Sequence, residues 1–381
     1  MSLWINFREI YVFKSLASLA AVLAISVSAS LAISSPSMAA GARENADASA
    51  TPDARAFHWT SSGPLVVPPV DPTQELYGVK DPSIVYADGK YHVFMTTAGA
   101  KGWGLAYTSF KDWSEAAAAP VVILDARSGI GAGYHAAPEV FYFAPQKLWY
   151  MVFQSGPPTY STTKDINDPT SWSAAKPFFN ADPEAITEAT GKAAWLDFWV
   201  ICDDAKCYLF NTDDGGRFFR SETSVDQFPN GFHSTTRVMS APQAGDMFEA
   251  SNTYKLEGTQ TYITLIEAMG PKGRYFRIWK SERLDGDWQP LGTAPMNYFA
   301  GSDNVSFEGA AWSQGVSHGE MVRSGLDQTL TIDPCKPMQF LYQGLDPQTH
   351  VDDYIKLPYR LAVITAVGPN PVSELCPAGK P

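Results

Sequence analysis

The 381-residue chain is short of several things, and each shortage removes a class of function. It has four cysteines and six histidines, with no Cys-x-x-Cys and no paired histidines, which argues against a zinc site. Lys and Arg number 28 against 40 Asp and Glu, a formal charge of −12, so neither nucleic acid nor an anionic membrane is an expected partner. Past the N-terminal region no stretch is apolar and long enough to span a bilayer. Nowhere does the pattern call for a long amphipathic helix. Aromatic residues, by contrast, are plentiful, with 21 Phe, 17 Tyr and 11 Trp. Strand cores and an aromatic-lined surface for neutral polar ligands, such as sugars, fit this balance best.

Residues 1–39 read as a signal peptide: Arg8 and Lys14 precede an apolar run from Leu16 to Ile33, and Ser37-Met38-Ala39 suits cleavage after Ala39. Residues 40–56 are small and polar and read as a flexible linker, leaving 57–381 as the folded part of a secreted, monomeric protein with no membrane attachment after cleavage. Cys202, Cys207, Cys335 and Cys376 suit an oxidising compartment and allow three pairings. Cys202 and Cys207 flank what would be a four-residue hairpin loop and would face each other across it, leaving Cys335 for Cys376.

The most informative stretch is Lys80-Asp81-Pro82-Ser83-Ile84-Val85-Tyr86, an Ala87-Asp88-Gly89-Lys90 turn, and Tyr91-His92-Val93-Phe94-Met95. β-Branched and aromatic residues on both sides of Asp-Gly predict a tight hairpin, with Asp81 extended before Pro82. The pattern of an acidic residue opening an apolar strand, followed by aromatic-rich and Ser/Thr-bearing strands, returns every 50–60 residues. Further copies open near Glu139, Asp197 and Glu249, and a less regular fifth runs from about Asp303 to Val367, with Phe340-Leu341-Tyr342 and Leu361–Ile364 as its clearest strands. Five such repeats predict an all-β, five-bladed β-propeller.

In a propeller the first strand of each blade lines the axis, so the residues that open the repeats converge. Asp81, Glu139, Asp197 and Glu249 are read as sharing that place, and Asp81, Asp197 and Glu249 as meeting near the axis. Clustered carboxylates repel, so at least one should keep its proton at neutral pH, which gives the ionised base and protonated acid of a glycosidase. Glu139 reads as an ion-pair or rim residue, and Asp203-Asp204 and Asp213-Asp214 as solvated turns.

These segments, with Ala137-Pro138-Glu139-Val140-Phe141-Tyr142-Phe143-Ala144-Pro145, Leu196–Asp204, Met247-Phe248-Glu249-Ala250 and Ser317-His318-Gly319-Glu320-Met321, resemble family 62 glycoside hydrolases over residues 57 to about 367. The resemblance implies an inverting α-L-arabinofuranosidase acting on arabinoxylan. It implies Asp81 as general base, Glu249 as general acid and Asp197 as the carboxylate that orients the acid. It places Lys80 and Gln154 in the arabinose pocket, and Tyr354, followed here by Ile355, against xylan. His318 matches a histidine associated with a water-rich calcium ion on the axis. A carbohydrate-binding propeller without turnover, or a propeller hydrolase with xylosidase or endo activity, are the competing readings.

Overall fold

The Asp-Gly hairpin forms where the sequence places it. In the computed structural model, which describes residues 56–379 apart from 72, 126, 192–194 and 293–296, Leu76–Ala87 and Lys90–Gly99 pair antiparallel with Ala87 opposite Lys90. Asp88 and Gly89 both take positive φ (51° and 76°), as the two central residues of a type I′ turn must. The expected leader, and the linker up to residue 55, lie outside the described residues. Among those described, no helix is long and apolar enough to cross a membrane.

Five sheets arranged as a β-propeller make up the fold. The first three blades are four-stranded meanders: Leu76–Ala87 to Val122–Ile123, Ala136–Phe143 to Lys176–Pro177, and Leu196–Cys202 to His233–Ser240. The fourth runs from Glu249–Leu256 to Gln289–Pro290, with Tyr298–Ala300 and Thr331–Ile332 added at its edges. In the fifth, Ser317–Met321, Gln339–Gly344 and Arg360–Ala366 come from the C-terminal part of the chain, whereas Trp59–Ser61 comes from the start of the folded region. Trp59 lies opposite Ala366, so the two ends of the described chain close the ring by strand pairing. That closure is buried. Trp59 is 1% exposed, donates from Nε1 to the Phe299 carbonyl at 2.7 Å, and packs on Phe57 and Phe299.

The innermost strands share an irregularity that the sequence did not reveal. Lys80 pairs with Thr96 and Ser83 with Phe94, so Asp81 and Pro82 together face the single residue Met95. The same two-against-one bulge recurs at Ala137-Pro138, Asp197-Phe198 and Ala250-Ser251, and a register shift falls at His318. Asp81, Ala137, Asp197 and Ala250 all have left-handed φ, between 46° and 55°. Asp81 is therefore not extended as its position before a proline implies. The bulge overrides that preference, and Pro82 brings no N–H into the gap in the ladder.

The bulge also corrects the alignment of the repeats. Asp81, Ala137, Asp197, Ala250 and His318 are the equivalent residues; Glu249 stands one place before and Glu139 two places after. Glu139 is accordingly no rim residue. It is 1% exposed, accepts the Val200 N–H at 2.6 Å, and burial pushes its carboxyl well above the usual range. The equivalent Ser83 and Glu320 accept the N–H groups of Val140 and Ile84 in the same way, at 2.9 and 3.0 Å. Arg323 ties this layer together from its middle, pairing with Glu320 and donating to the carbonyls of Ile84 and Val140.

Both disulfides pair as the spacing suggested: Cys202–Cys207 across the hairpin, and Cys335–Cys376 over a separation of 41 residues. Because ring closure rests on one short strand with one large buried anchor, Trp59→Ala is expected to cost about 3–5 kcal/mol. A fall in the urea midpoint without loss of cooperativity is the outcome to look for.

Candidate active site

The bulges decide which side chains face the axis at one end of the channel. Each bulged residue presents an N–H that its own sheet does not use, and a side chain of the preceding blade accepts it. Gln343 Oε1 takes Asp81 N–H (2.7 Å), Thr96 Oγ1 takes Ala137 N–H (2.8 Å), Gln154 Oε1 takes Asp197 N–H (2.8 Å), and Glu267 Oε2 takes His318 N–H (2.6 Å). All four acceptors stand at the same place in the second strand of their blade. In the third blade that place is Thr212, and the Asp197 carboxylate itself accepts Ala250 N–H at 2.8 Å. Asp197 thereby fixes the residue next to Glu249.

Asp81 is 7% exposed, with His318 Nδ1 3.3 Å from its Oδ1 and Lys80 beside it in sequence. Burial alone would raise its pKa, but the charges of Lys80 and His318 outweigh it and hold the carboxyl well below the usual range. The Lys80 ammonium donates to the Tyr354 hydroxyl at 2.9 Å and lies over the rings of Tyr354 (4.6 Å) and Tyr359 (5.3 Å). Burial would favour its neutral form; Tyr354 and Asp81 more than offset that and keep it protonated. His318 is in the same position. Burial opposes its charge, yet Asp197 (3.8 Å) and Asp81 raise it to about 9.

Asp197 goes the other way. Burial, with Glu249 and Asp81 adding to it against His318, pushes it up to about 7. Its neighbourhood holds more carboxylates than the sequence suggested. Arg274, on the third strand of the fourth blade, pairs through Nη1 with both Glu249 and Glu267, the latter at 2.6 Å. Asp214 belongs here too, raised to about 8 by burial and by the charges of Glu249 and Asp197. Glu249 and Glu267 thus share one guanidinium, and burial with mutual repulsion pushes the surrounding Asp197, Asp214 and Glu267 above the usual carboxylate range.

All seven residues singled out from the sequence meet in this one site. Tyr354 touches Lys80, and Lys80 adjoins Asp81. His318 stands between Asp81 and Asp197, and Asp197 is bonded to Gln154 and to the residue after Glu249. The expectation of solvated turns fails at Asp213-Asp214. Asp213 is 7% exposed and paired with Arg217 at 2.5 Å, while Asp214 is half-buried against the carboxylate cluster. A usable signal was present: the pair directly follows Thr212, where the second strand of that blade reaches the site. Arg274 had no such marker, because it comes from a strand that does not line the axis.

Comparison with known proteins places this geometry. Residues 58–365 match the model of glycosyl hydrolase family 62. The chain is 38% identical over 311 residues to alpha-L-arabinofuranosidase C of Cellvibrio japonicus, covering 81% of this chain and 47% of that protein; it spans about half the length of that curated relative. It superposes on the catalytic domain of a Coprinopsis cinerea family 62 alpha-L-arabinofuranosidase with a TM-score of 0.79 at 46% identity, covering 82% of this chain and 98% of the other. A family 62 hydrolase solved in complex with xylotriose is 44% identical, with a TM-score of 0.78 and coverage of 82% and 98%. With the family model matched from the closing strand of the propeller to its last blade, the chain belongs to glycosyl hydrolase family 62.

Proposed function

We propose that the protein is a secreted α-L-arabinofuranosidase that removes arabinofuranosyl side chains from arabinoxylan by hydrolysis with inversion. The observation that carries this reading is the division of one pocket into two electrostatic halves. Asp81 is held ionised by Lys80 and His318, while burial and mutual repulsion push Asp197, Asp214 and Glu267, the carboxyl groups around Glu249, above the usual carboxylate range. Carboxyl groups whose surroundings drive them apart in this way are suited to act as base and acid.

In the proposed reaction Asp81 takes a proton from a water molecule as the water oxygen bonds to the arabinose anomeric carbon. The bond from that carbon to the xylose oxygen breaks, and Glu249 donates the proton the leaving oxygen needs. Asp197 orients Glu249 by holding Ala250 N–H. Lys80 and Gln154 border the arabinose, and Tyr354, 45% exposed, offers its ring to the xylan. The printed activities of the relatives, and the xylotriose held by one of them, support the choice of sugar and of backbone. The leader-like residues 1–39 support secretion.

Calcium is proposed on the axis at His318. Among the described residues no three His, Cys, Asp or Glu side chains converge to hold a metal. An ion with the six to eight oxygen ligands calcium prefers would therefore be held largely by water, and His318 would join it only as the neutral imidazole, the ion's charge then replacing the one His318 carries beside Asp81.

Incubation with arabinoxylan followed by chromatography tests the function; free arabinose with undiminished backbone length is expected, and shortened xylan or no product would refute it. NMR of the first-formed sugar should show the β anomer. Glu249→Gln should nearly abolish release from arabinoxylan while sparing more activity on an aryl arabinofuranoside, whose phenolate needs no proton to leave. Asp81→Asn should depress both substrates, each loss being on the order of 10²–10⁴-fold. Dialysis against chelator should lower the melting temperature, and added calcium should restore it.

A further inference from the structure

Tyr134 borders the site through Gln154 and has no role in the scheme above. It ends the loop that links Val122–Ile123 to Ala136–Phe143, and the base of that loop is well fixed. Asp125 accepts the Leu105 N–H at 3.0 Å and lies 3.0 Å from His135 Nδ1, and Ile130 is buried beneath the loop. Where the loop meets the second blade, Tyr134 remains 45% exposed, yet both ends of its side chain are held. Its hydroxyl accepts from Gln154 Nε2 at 2.7 Å, and its ring meets Trp103 edge to face, with centroids 6.1 Å apart and planes at 84°.

The same Gln154 amide holds Asp197 N–H through its oxygen, so one side chain joins the Tyr134 ring to the carboxylate strand. After burial and the Gln154 hydrogen bond, the charges that act on the Tyr134 phenol are those of Asp197, Asp81 and Lys80, which puts it beside the pocket. Only three aromatic side chains stay largely exposed among the described residues: Tyr86, Tyr134 and Tyr354. Tyr86 packs against Tyr91 in the first hairpin; the other two both border this site. Tyr354 belongs to the fifth blade and Tyr134 leads into the second, so they flank the first blade, which carries Asp81, from either side.

We propose that Tyr134, braced by Trp103, is a stacking subsite for one pyranose ring of the xylan backbone, on the second-blade side of the pocket. The proposal rests on the reading of the protein as an arabinoxylan-acting enzyme. A xylopyranose ring offers a face of C–H groups that packs on an aromatic ring. A ring already held at both ends loses little freedom when the sugar arrives. Tyrosine also suits a position with one wet, hydrogen-bonded end and one apolar face.

The test is calorimetric binding of unbranched xylohexaose to the wild type and to Tyr134→Ala and Tyr134→Phe, with KM for arabinoxylan measured alongside. Tyr134→Ala should weaken xylohexaose about tenfold, roughly the worth of one aromatic contact, and raise KM more than it lowers kcat. Tyr134→Phe keeps the ring and should recover most of the affinity. If Tyr134→Ala proves unstable on melting, Tyr134→Leu becomes the deciding variant. Unchanged xylohexaose binding in a folded variant, or no binding by the wild type, overturns the subsite. A wild type that releases no arabinose overturns the function instead, and a tenfold loss of xylohexaose binding would then still support the subsite.

Discussion

The structure depends on a hydrogen bond between blades that is made wherever an innermost strand bulges. A bulge turns one N–H out of its own ladder, and a buried N–H left without a partner costs about 1–3 kcal/mol. Here each such group is caught by the preceding blade: by Gln343, Thr96, Gln154, Asp197 and Glu267 in turn round the ring. The arrangement links neighbouring innermost strands and sets their relative height. Four of the five acceptors are equivalent in the repeat. The exception, Asp197, combines the interblade bond with a place among the carboxylates.

This overlap explains why so much charge can be buried here. Asp81 lies between two cations, Lys80 and His318; the carboxylate keeps both of them charged despite burial, and they in turn keep it ionised. Glu249, Glu267, Asp197 and Asp214 form a second group, with more carboxylates than the cations beside them, Arg274 and His318, can balance. Asp197, Asp214 and Glu267 are accordingly held above the usual carboxylate range. The backbone bonds to Asp197 and Glu267 keep these carboxylates from moving apart to relieve their repulsion.

The blade architecture was legible because its signals are local: an Asp-Gly turn in the first hairpin, and apolar strands opened by an acidic residue and followed by aromatic-rich strands, repeated at a steady interval. The inner strand of the fifth blade was not, since Ser317-His318-Gly319-Glu320-Met321 has no β-branched residue, and neither was the use of Trp59–Ser61 to complete that blade. Bulges escape a reading of one strand at a time because they exist only relative to a partner, which is why Glu139 was placed at the wrong height. The seven residues expected at the site lie together because six of them are on inner strands or at the ends of the strands beside them; Tyr354 lies in a short 3-10 turn of the fifth blade. Arg274, Glu267 and Tyr134 reach the site from a third strand, a second strand and a loop, which no motif linked to it.

Closure of the ring by Trp59–Ser61 bears on how the chain reaches its folded state. Trp59 pairs with Ala366, so the strand made first waits for one of the strands made last. Joining residues so far apart in sequence carries a loop entropy that only the completed contact repays, which makes such pairing intrinsically late. Until Arg360–Ala366 has emerged, Trp59–Ser61 can pair only with Val305–Phe307, and the inner strands of the fifth sheet keep an open edge. A chain truncated before Arg360 would carry every carboxylate named above and still have no means of closing the circle that holds them together.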